Sequence, residues 1–329
     1  MNGYSAIAAA TFSGAAFAQE TLSASEMAAK MDSMPTVYGN IQYVVKHTNF
    51  DNGPSEIEHA DNGSTLGVKH DHEIAPGLTG FFKAELEYDA DDKEGNNGLD
   101  SFDEAYIGVD SDNFGKVWIG SDDSTYESAI DEIYNFWEVG SGIGGDYETG
   151  EGDLVQYQSP SFSGLTLGAA VQVNGDGDND QKSYPYQLAA MYEVDALELA
   201  FAVDSNDGEG SNENTYGLRA SYNLDNLRLT GSFETRKDEQ DVFGVMSVYT
   251  LGANQFALAY QLEDRDNGDK KDVVSLQALH NLSDNMYIYA EGYFGGGDDN
   301  VWQKTDDNDN VVAQSDERTV AAVGAVYYF

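Results

Sequence analysis

One feature constrains this chain more than any other. From Thr36 to the last residue, segments of about ten residues alternate apolar and polar side chains, each followed by a turn. The final segment, A-A-V-G-A-V-Y-Y-F, is the densest. Ala321, Val323, Ala325, Tyr327 and Phe329 share one phase, and Ala322, Val326 and Tyr328 take the other, with Gly324 in the middle. A terminus that ends on an aromatic inside a strand is tucked into a sheet. The reading is all-β: a transmembrane antiparallel β-barrel of sixteen strands, in which the last strand pairs with the first and leaves no edge.

The segments fall at 36–47, 64–74, 78–90, 101–111, 114–121, 152–160, 163–174, 184–194, 197–205, 214–223, 227–236, 241–251, 254–263, 271–281, 285–294 and 317–329. In 197–204, Leu197, Leu199, Phe201 and Val203 oppose Glu198, Ala200, Ala202 and Asp204. In 216–222, Tyr216 and Tyr222 close an apolar row at both ends, as in the aromatic girdles of membrane barrels. Short connections at 75–77, 111–115, 161–164, 195–196, 225–226, 252–254 and 283–285 alternate with long, acidic, Gly-rich ones at 48–63, 91–100, 122–151, 175–183, 205–213, 264–270 and 295–316. Short turns at one rim and long loops at the other are an outer-membrane asymmetry.

Composition agrees. No run of some 18 apolar residues exists, and the mean hydropathy is −0.49, which a barrel tolerates because only alternate residues meet lipid. The 16 basic against 59 acidic residues give a net charge of −43, which excludes nucleic acid as a partner. That charge is either a solvated, salt-adapted surface or a field focused in a channel that enriches cations. Residues 1–18 read as a secretory signal, with Ala16-Phe17-Ala18 as the cleavage pattern but no basic residue before Lys30. The alternative is a helical or disordered arm. Residues 19–35 form an N-terminal arm of helical composition, stopped by Pro35, and 36–329 form a single barrel domain.

The pieces S-T-L-G-V-K (64–69), F-D-E-A-Y-I-G-V (102–109), F-G-K-V-W-I-G (114–120), Y-Q-S-P-S-F-S-G-L-T-L-G-A (157–169) and the C-terminal V-G-A-V-Y-Y-F together resemble the Gram-negative general porins. The resemblance implies a homotrimer of sixteen-stranded barrels in the outer membrane that passes small hydrophilic solutes. It implies an inward-folded third extracellular loop, here 122–151, and an assembly signal at Phe329. It also exposes departures. Thr65, Trp118, Ser121, Gln156 and Val326 stand where the family often has arginines, and no Arg lies near Asp103. Most of the basic wall is missing, although Lys69 and Lys83 restore some of it.

Within 122–151, Ser124 and Glu127 form a capping box for a short helix. Ile130, Ile133, Tyr134, Phe136 and Trp137 would anchor the loop, and Asp131, Glu132 and Glu138 would face the opening. Alternation adds Lys69, Lys83, Glu85, Glu87, Asp103, Gln156, Glu198, Arg219, Arg228 and Glu234 as lumen-facing residues. Crowded carboxylates attract hydrated cations, so the expected channel prefers cations, and its field weakens at acid pH as like-charge repulsion raises some of their pKa values. No metal is assigned. His70 and His72 lack a third ligand, and the acidic stretches 176–180 and 306–309 lack the full calcium-loop spacing. They leave room for weak divalent-cation binding at the loops, bridging them to one another or to lipopolysaccharide. No cofactor is expected. No partner singles out any of His47, His59, His70, His72 or His280, so no enzyme is expected either. The rival readings are a channel for one chosen solute, a barrel hydrolase, and a salt-adapted soluble β-protein.

Overall fold

Sixteen antiparallel staves close on themselves in the computed structural model, which describes residues 34–329 apart from 92–101, 141, 146, 174, 178–180, 208–212 and 306–309. The leader read at 1–18, the arm up to residue 33, Asp178, Asp180 and the run 306–309 lie outside the described residues. The first strands are β1 (Thr36–Phe50), β2 (Ser55–Asp61), β3 (Thr65–Ala75), β4 (Leu78–Glu87), β5 (Phe102–Ser111) and β6 (Gly115–Ser121). A short helix, α1 (Thr125–Ile130), precedes β7 (Leu154–Gln158), β8 (Leu165–Gln172), β9 (Gly175–Gly177), β10 (Gln181–Ser183), β11 (Tyr186–Val194) and β12 (Leu197–Asp204). Then come β13 (Thr215–Leu224), β14 (Leu227–Arg236), β15 (Gln240–Leu251), β16 (Asn254–Arg265) and β17 (Lys270–Ser283). The last are β18 (Met286–Gly297), β19 (Trp302–Thr305), β20 (Val311–Ser315) and β21 (Arg318–Tyr328). The pairs β9–β10 and β19–β20 are separate two-stranded ribbons, and β2 with β3 makes one stave.

The ring closes between β1 and β21, in register from Asn40↔Tyr328 to Phe50↔Arg318. The terminal residue extends the seam: the Phe329 N–H donates to the Gly39 carbonyl at 3.0 Å, and the Gly39 N–H donates back at 3.1 Å. Every stave therefore has two neighbours, which hydrocarbon demands because it satisfies no free backbone group.

The apolar phase faces outward. On β12, Leu199 and Phe201 are 41% and 43% exposed, whereas Ala200 and Ala202 between them are buried. Tyr186, Tyr192, Tyr216, Tyr222 and Tyr249 stand exposed near strand ends, where ring and hydroxyl can straddle lipid and water. Polar residues of the other phase, among them Gln187, Ser221, Thr230, Gln261 and Ser275, are buried inside the cylinder. Two stacked sheets would bury the large apolar side chains instead.

The structure corrects one connection. Residues 48–63 are a hairpin rather than a loop: β1 runs on to Phe50, turns through Asn52 in the left-handed region (φ 55°) and returns as β2. At 62–64 the stave breaks. Gly63 takes φ +90°, and the Asp61 carboxylate accepts from the N–H groups of Gly63 and Ser64 at 3.0 and 2.9 Å. The Ser64 hydroxyl then accepts from the Gln42 N–H at 2.9 Å, replacing a ladder bond. The join between β14 and β15 is a tight turn, so short and long connections do not alternate strictly.

Candidate functional site

The chain between β6 and β7 is stitched to the inner face of the wall. Ser124 is the N-cap of α1, and its hydroxyl accepts from the Glu127 N–H at 3.3 Å, which is half of the capping box. Glu127 does not reach back; its carboxylate accepts from the Asn135 amide at 2.9 Å. Tyr126 is fully buried against Ala200 and Ala202, and its hydroxyl donates to Glu234 at 2.9 Å. Ile133 and Trp137 pack on Val242, Met246, Ala259, Val273 and Tyr293 of the wall. The aromatic and branched residues of the segment thus take the wall side, as amphipathic pattern demands.

Wall side chains hold the segment at intervals. Gln187 accepts from the Tyr126 N–H at 2.8 Å, and Asp204 accepts from the Thr149 hydroxyl at 2.9 Å. Gln261 both accepts from the Ile143 N–H and donates to the Ile143 carbonyl. Glu291 accepts from the N–H groups of Glu138 and Val139, both at 3.0 Å. The break in the second stave contributes as well, because the Asn62 amide donates to the Glu138 carbonyl at 2.8 Å. Alternation places Gln187, Asp204, Gln261 and Glu291 in the inward phase, and that was the signal available for them in the sequence.

The acids of the segment divide into two environments. Glu132 sits between two arginines. Arg228 donates to it through Nε at 2.6 Å and Nη2 at 2.8 Å, Arg219 reaches it through Nη1, and Thr230 and Ser221 donate at 2.6 and 2.9 Å. Burial alone would raise the Glu132 carboxyl, but these hydrogen bonds outweigh it and hold it down to about 2. Glu198 shares the pair, accepting from Arg228 at 2.7 Å. Asp131 and Glu132, with Glu198, Arg219 and Arg228, line one cavity of about 810 Å³.

Among the described residues, the segment's Asp131, Glu138 and Asp122 have no arginine partner. Asp131 is 4% exposed, with Tyr147 as a hydrogen-bonding neighbour of its carboxylate. Burial first, and then the charge of Glu234, push its carboxyl well above the usual range. Glu138 is raised to about 6 by burial and by Glu291, against the Tyr287 hydroxyl, which donates to it at 3.0 and 3.1 Å. Asp122, raised to about 6 by burial and by Glu104, accepts from Trp118 Nε1 at 2.7 Å.

The remaining predicted residues fall as follows. Lys83 pairs with Glu104 at 2.5 Å and lies 3.8 Å from Glu85, and Glu85, Asp103 and Glu104 cluster together. Lys69 lies over the Tyr38 ring at 4.8 Å. Gln156 is buried under the segment, accepting from the Thr125 hydroxyl at 2.8 Å and donating to the Asp123 carbonyl at 2.9 Å. His70 and His72 stack at 5.7 Å, and no metal-capable group of three among the described residues includes them. The rings of Trp118, Phe81 and Tyr106 surround the Lys116 ammonium at 4.2, 4.9 and 5.7 Å.

A sealed cylinder, oily outside and polar within, crossed by a segment bonded to its inner wall, defines a membrane channel of the outer-membrane barrel class. A family model described as Gram-negative porin matches residues 5–300. The chain is 30% identical over 291 residues to a monosaccharide porin of a Halomonas species, covering 82% of this chain and 74% of that one. In fold it is similar to the anion-selective porin from Comamonas acidovorans, with a TM-score of 0.73 at 19% identity, covering 90% of this chain and 99% of that one. It is also similar to the trimer form of OmpT from Vibrio cholerae, with a TM-score of 0.60 at 15% identity, over 90% and 99% of the two chains. The chain belongs to the Gram-negative porin family. It is a non-enzymatic outer-membrane channel for small solutes.

Proposed function

We propose that this porin passes small hydrophilic solutes passively and prefers cations to anions, with 122–151 as the third extracellular loop and the constriction. One observation carries the ion preference. Arg219 and Arg228 are both paired with Glu132 and Glu198, whereas Asp123, Glu127 and Glu151 crowd together with no basic partner among the described residues. Fixed, unneutralised carboxylates beside a water-filled path raise the local cation concentration. Asp131 adds to this field only when ionised, and Glu132 is already neutralised. Reversal potentials across planar bilayers in a KCl gradient test the reading. The expected sign is that of the K⁺ equilibrium potential, and a reversal on the Cl⁻ side would reject it.

A second reading is favoured by the aromatic patch. Phe81, Tyr106 and Trp118 share the inner wall, and flat apolar faces flanked by carboxylates suit sugar rings. The Halomonas relative named a monosaccharide porin points the same way. Liposome swelling with size-matched neutral solutes separates the two: one sugar entering far faster than its isomers would favour the chosen-solute reading. Homotrimeric assembly, cleavage after Ala18, recognition of Phe329 during assembly and contact with lipopolysaccharide are carried forward as part of the same proposal.

A further inference from the structure

The connection after β18 is acidic and glycine-rich, yet its root carries two large apolar side chains, Val301 and Trp302. Neither stands in water: Val301 is buried and Trp302 is 2% exposed. Both belong to the buried cluster that takes Ile133, Trp137 and Ile143 of the 122–151 segment, with Phe50, Tyr293 and Val320 of the wall. A run of three glycines makes the seat. A Cβ at Gly295 would lie 2.5 Å from the Trp302 ring. One at Gly297 (φ +149°) would lie 2.7 Å from Val301 Cγ2 and 2.4 Å from the Lys270 carbonyl oxygen. Between them, the Gly296 carbonyl accepts from Trp302 Nε1 at 3.0 Å.

Two cations hold the ring in that seat. Lys271 lies 4.5 Å and Arg318 4.1 Å from the indole centre, contacts that gain strength where water is excluded. The other flank of the ribbon β19–β20 is fastened to the β1–β2 hairpin. Lys304 pairs with Glu56, the Ser315 hydroxyl donates to the Asp51 carbonyl at 3.0 Å, and the Asp51 N–H donates to the Glu317 carbonyl at 3.1 Å.

The side-chain anchors on the wall all belong to its inward phase. Gly295 shares that phase with buried Tyr293, Lys271 with buried Val273 and Arg318 with buried Val320. Glu56 stands opposite Thr48 on β1, two residues from buried Phe50. A ribbon laid outward over the rim would meet the opposite phase, so this one leans over the lumen.

We propose that the ribbon β19–β20 is a second constricting element, set above the 122–151 segment at the rim of long connections. Trp302 is the residue that keeps it there, and the ribbon sets the size limit for solutes entering from that rim. Because it sieves by size, a reversal potential on the anion side would sink the ion preference and leave this element standing.

The test is single-channel conductance of the full-length protein in planar bilayers, with neutral polyethylene glycols of graded size on one side at a time. A polymer that enters a mouth lowers the conductance, and one that is excluded leaves it unchanged. The wild type should exclude smaller polymers from the long-loop side than from the short-turn side. In Trp302→Ala the long-loop cut-off should rise to larger polymers while the short-turn cut-off stays, with heat-modifiable gel migration showing a closed barrel. Equal cut-offs on the two sides of the wild type, or an unmoved long-loop cut-off in folded Trp302→Ala, would overturn the proposal. Lys304→Glu gives a variant that leaves the buried seat intact, because it sets like charge against Glu56 at a partly exposed pair. It should raise the same cut-off, and Glu56→Lys/Lys304→Glu should restore it. A cut-off indifferent to the charge at both positions rejects the ribbon as a sieve.

Discussion

Glu132 and Arg228 meet in a two-point ion pair, Nε to Oε1 at 2.6 Å and Nη2 to Oε2 at 2.8 Å, joining the loop to β14. The pair fixes the loop and cancels charge at one place. Replacing Glu132 with Gln would leave Arg219 and Arg228 facing the lumen with Glu198 alone. The reversal potential should then move toward the anion side. Loss of the charge-assisted bonds should lower stability by about 2 kcal/mol, read as a lower thermal midpoint in detergent.

Acidification should act on two other acids and shift selectivity the same way. The Glu138 and Asp122 carboxyls are raised to about 6, so their charge is lost as the pH falls through that value. Cation preference should therefore weaken between pH 7 and 5. A raised acid costs stability above its folded value, and that cost is relieved as the pH falls from about 6 toward the ordinary 4.5 of a Glu. Glu132, held at about 2, runs the other way: its contribution is present above 4.5 and is lost on further acidification toward 2. The thermal midpoint of Glu138→Gln should respond less than wild type between pH 7 and 5.

The seat of α1 is tight at Gly217 on β13. A Cβ there would lie 2.5 Å from the Tyr126 hydroxyl oxygen and 2.7 Å from Ile130 Cγ1. Gly217→Val should push the helix off the wall and into the lumen, lowering single-channel conductance. The barrel itself should still form, with an overpacking cost of about 1–3 kcal/mol. Unchanged conductance in a folded Gly217→Val protein would show that the helix does not narrow the path.

Alternation made the staves and the phase of Arg219, Arg228 and Glu234 legible, because a two-sided wall leaves its mark on every second residue. It failed at β2, S-E-I-E-H-A-D, where Ile57 is the lone large apolar side chain and is itself exposed. Nor could it give height. The partners of Glu132 come from β13 and β14, about ninety residues along the chain, and only the closed ring brings them level with the loop. Gln156 shows the same limit: its inward phase was readable, but its burial beneath Thr125 was not.

Trp118 offers a test of the missing basic wall. It points inward between the outward Val117 and Ile119, next to Lys116, and donates to Asp122. Trp118→Arg should pair with Asp122 at the root of the loop and add positive charge to the inner wall. Cation preference should fall, and any sugar discrimination that depends on the aromatic patch should fall with it. A variant that changes neither property would remove this wall from the account of selectivity.

The seam between β1 and β21 has a consequence for how such a wall can be made. The first stave to appear must wait for the last, since its partners from Asn40 to Phe50 are the final residues of the chain. Until they arrive, two raw margins of unbonded amide and carbonyl groups face a medium that offers them nothing. A copy shortened by its last strand is therefore a slit sheet rather than a slightly narrower tube, and the cell inherits the cylinder whole or not at all.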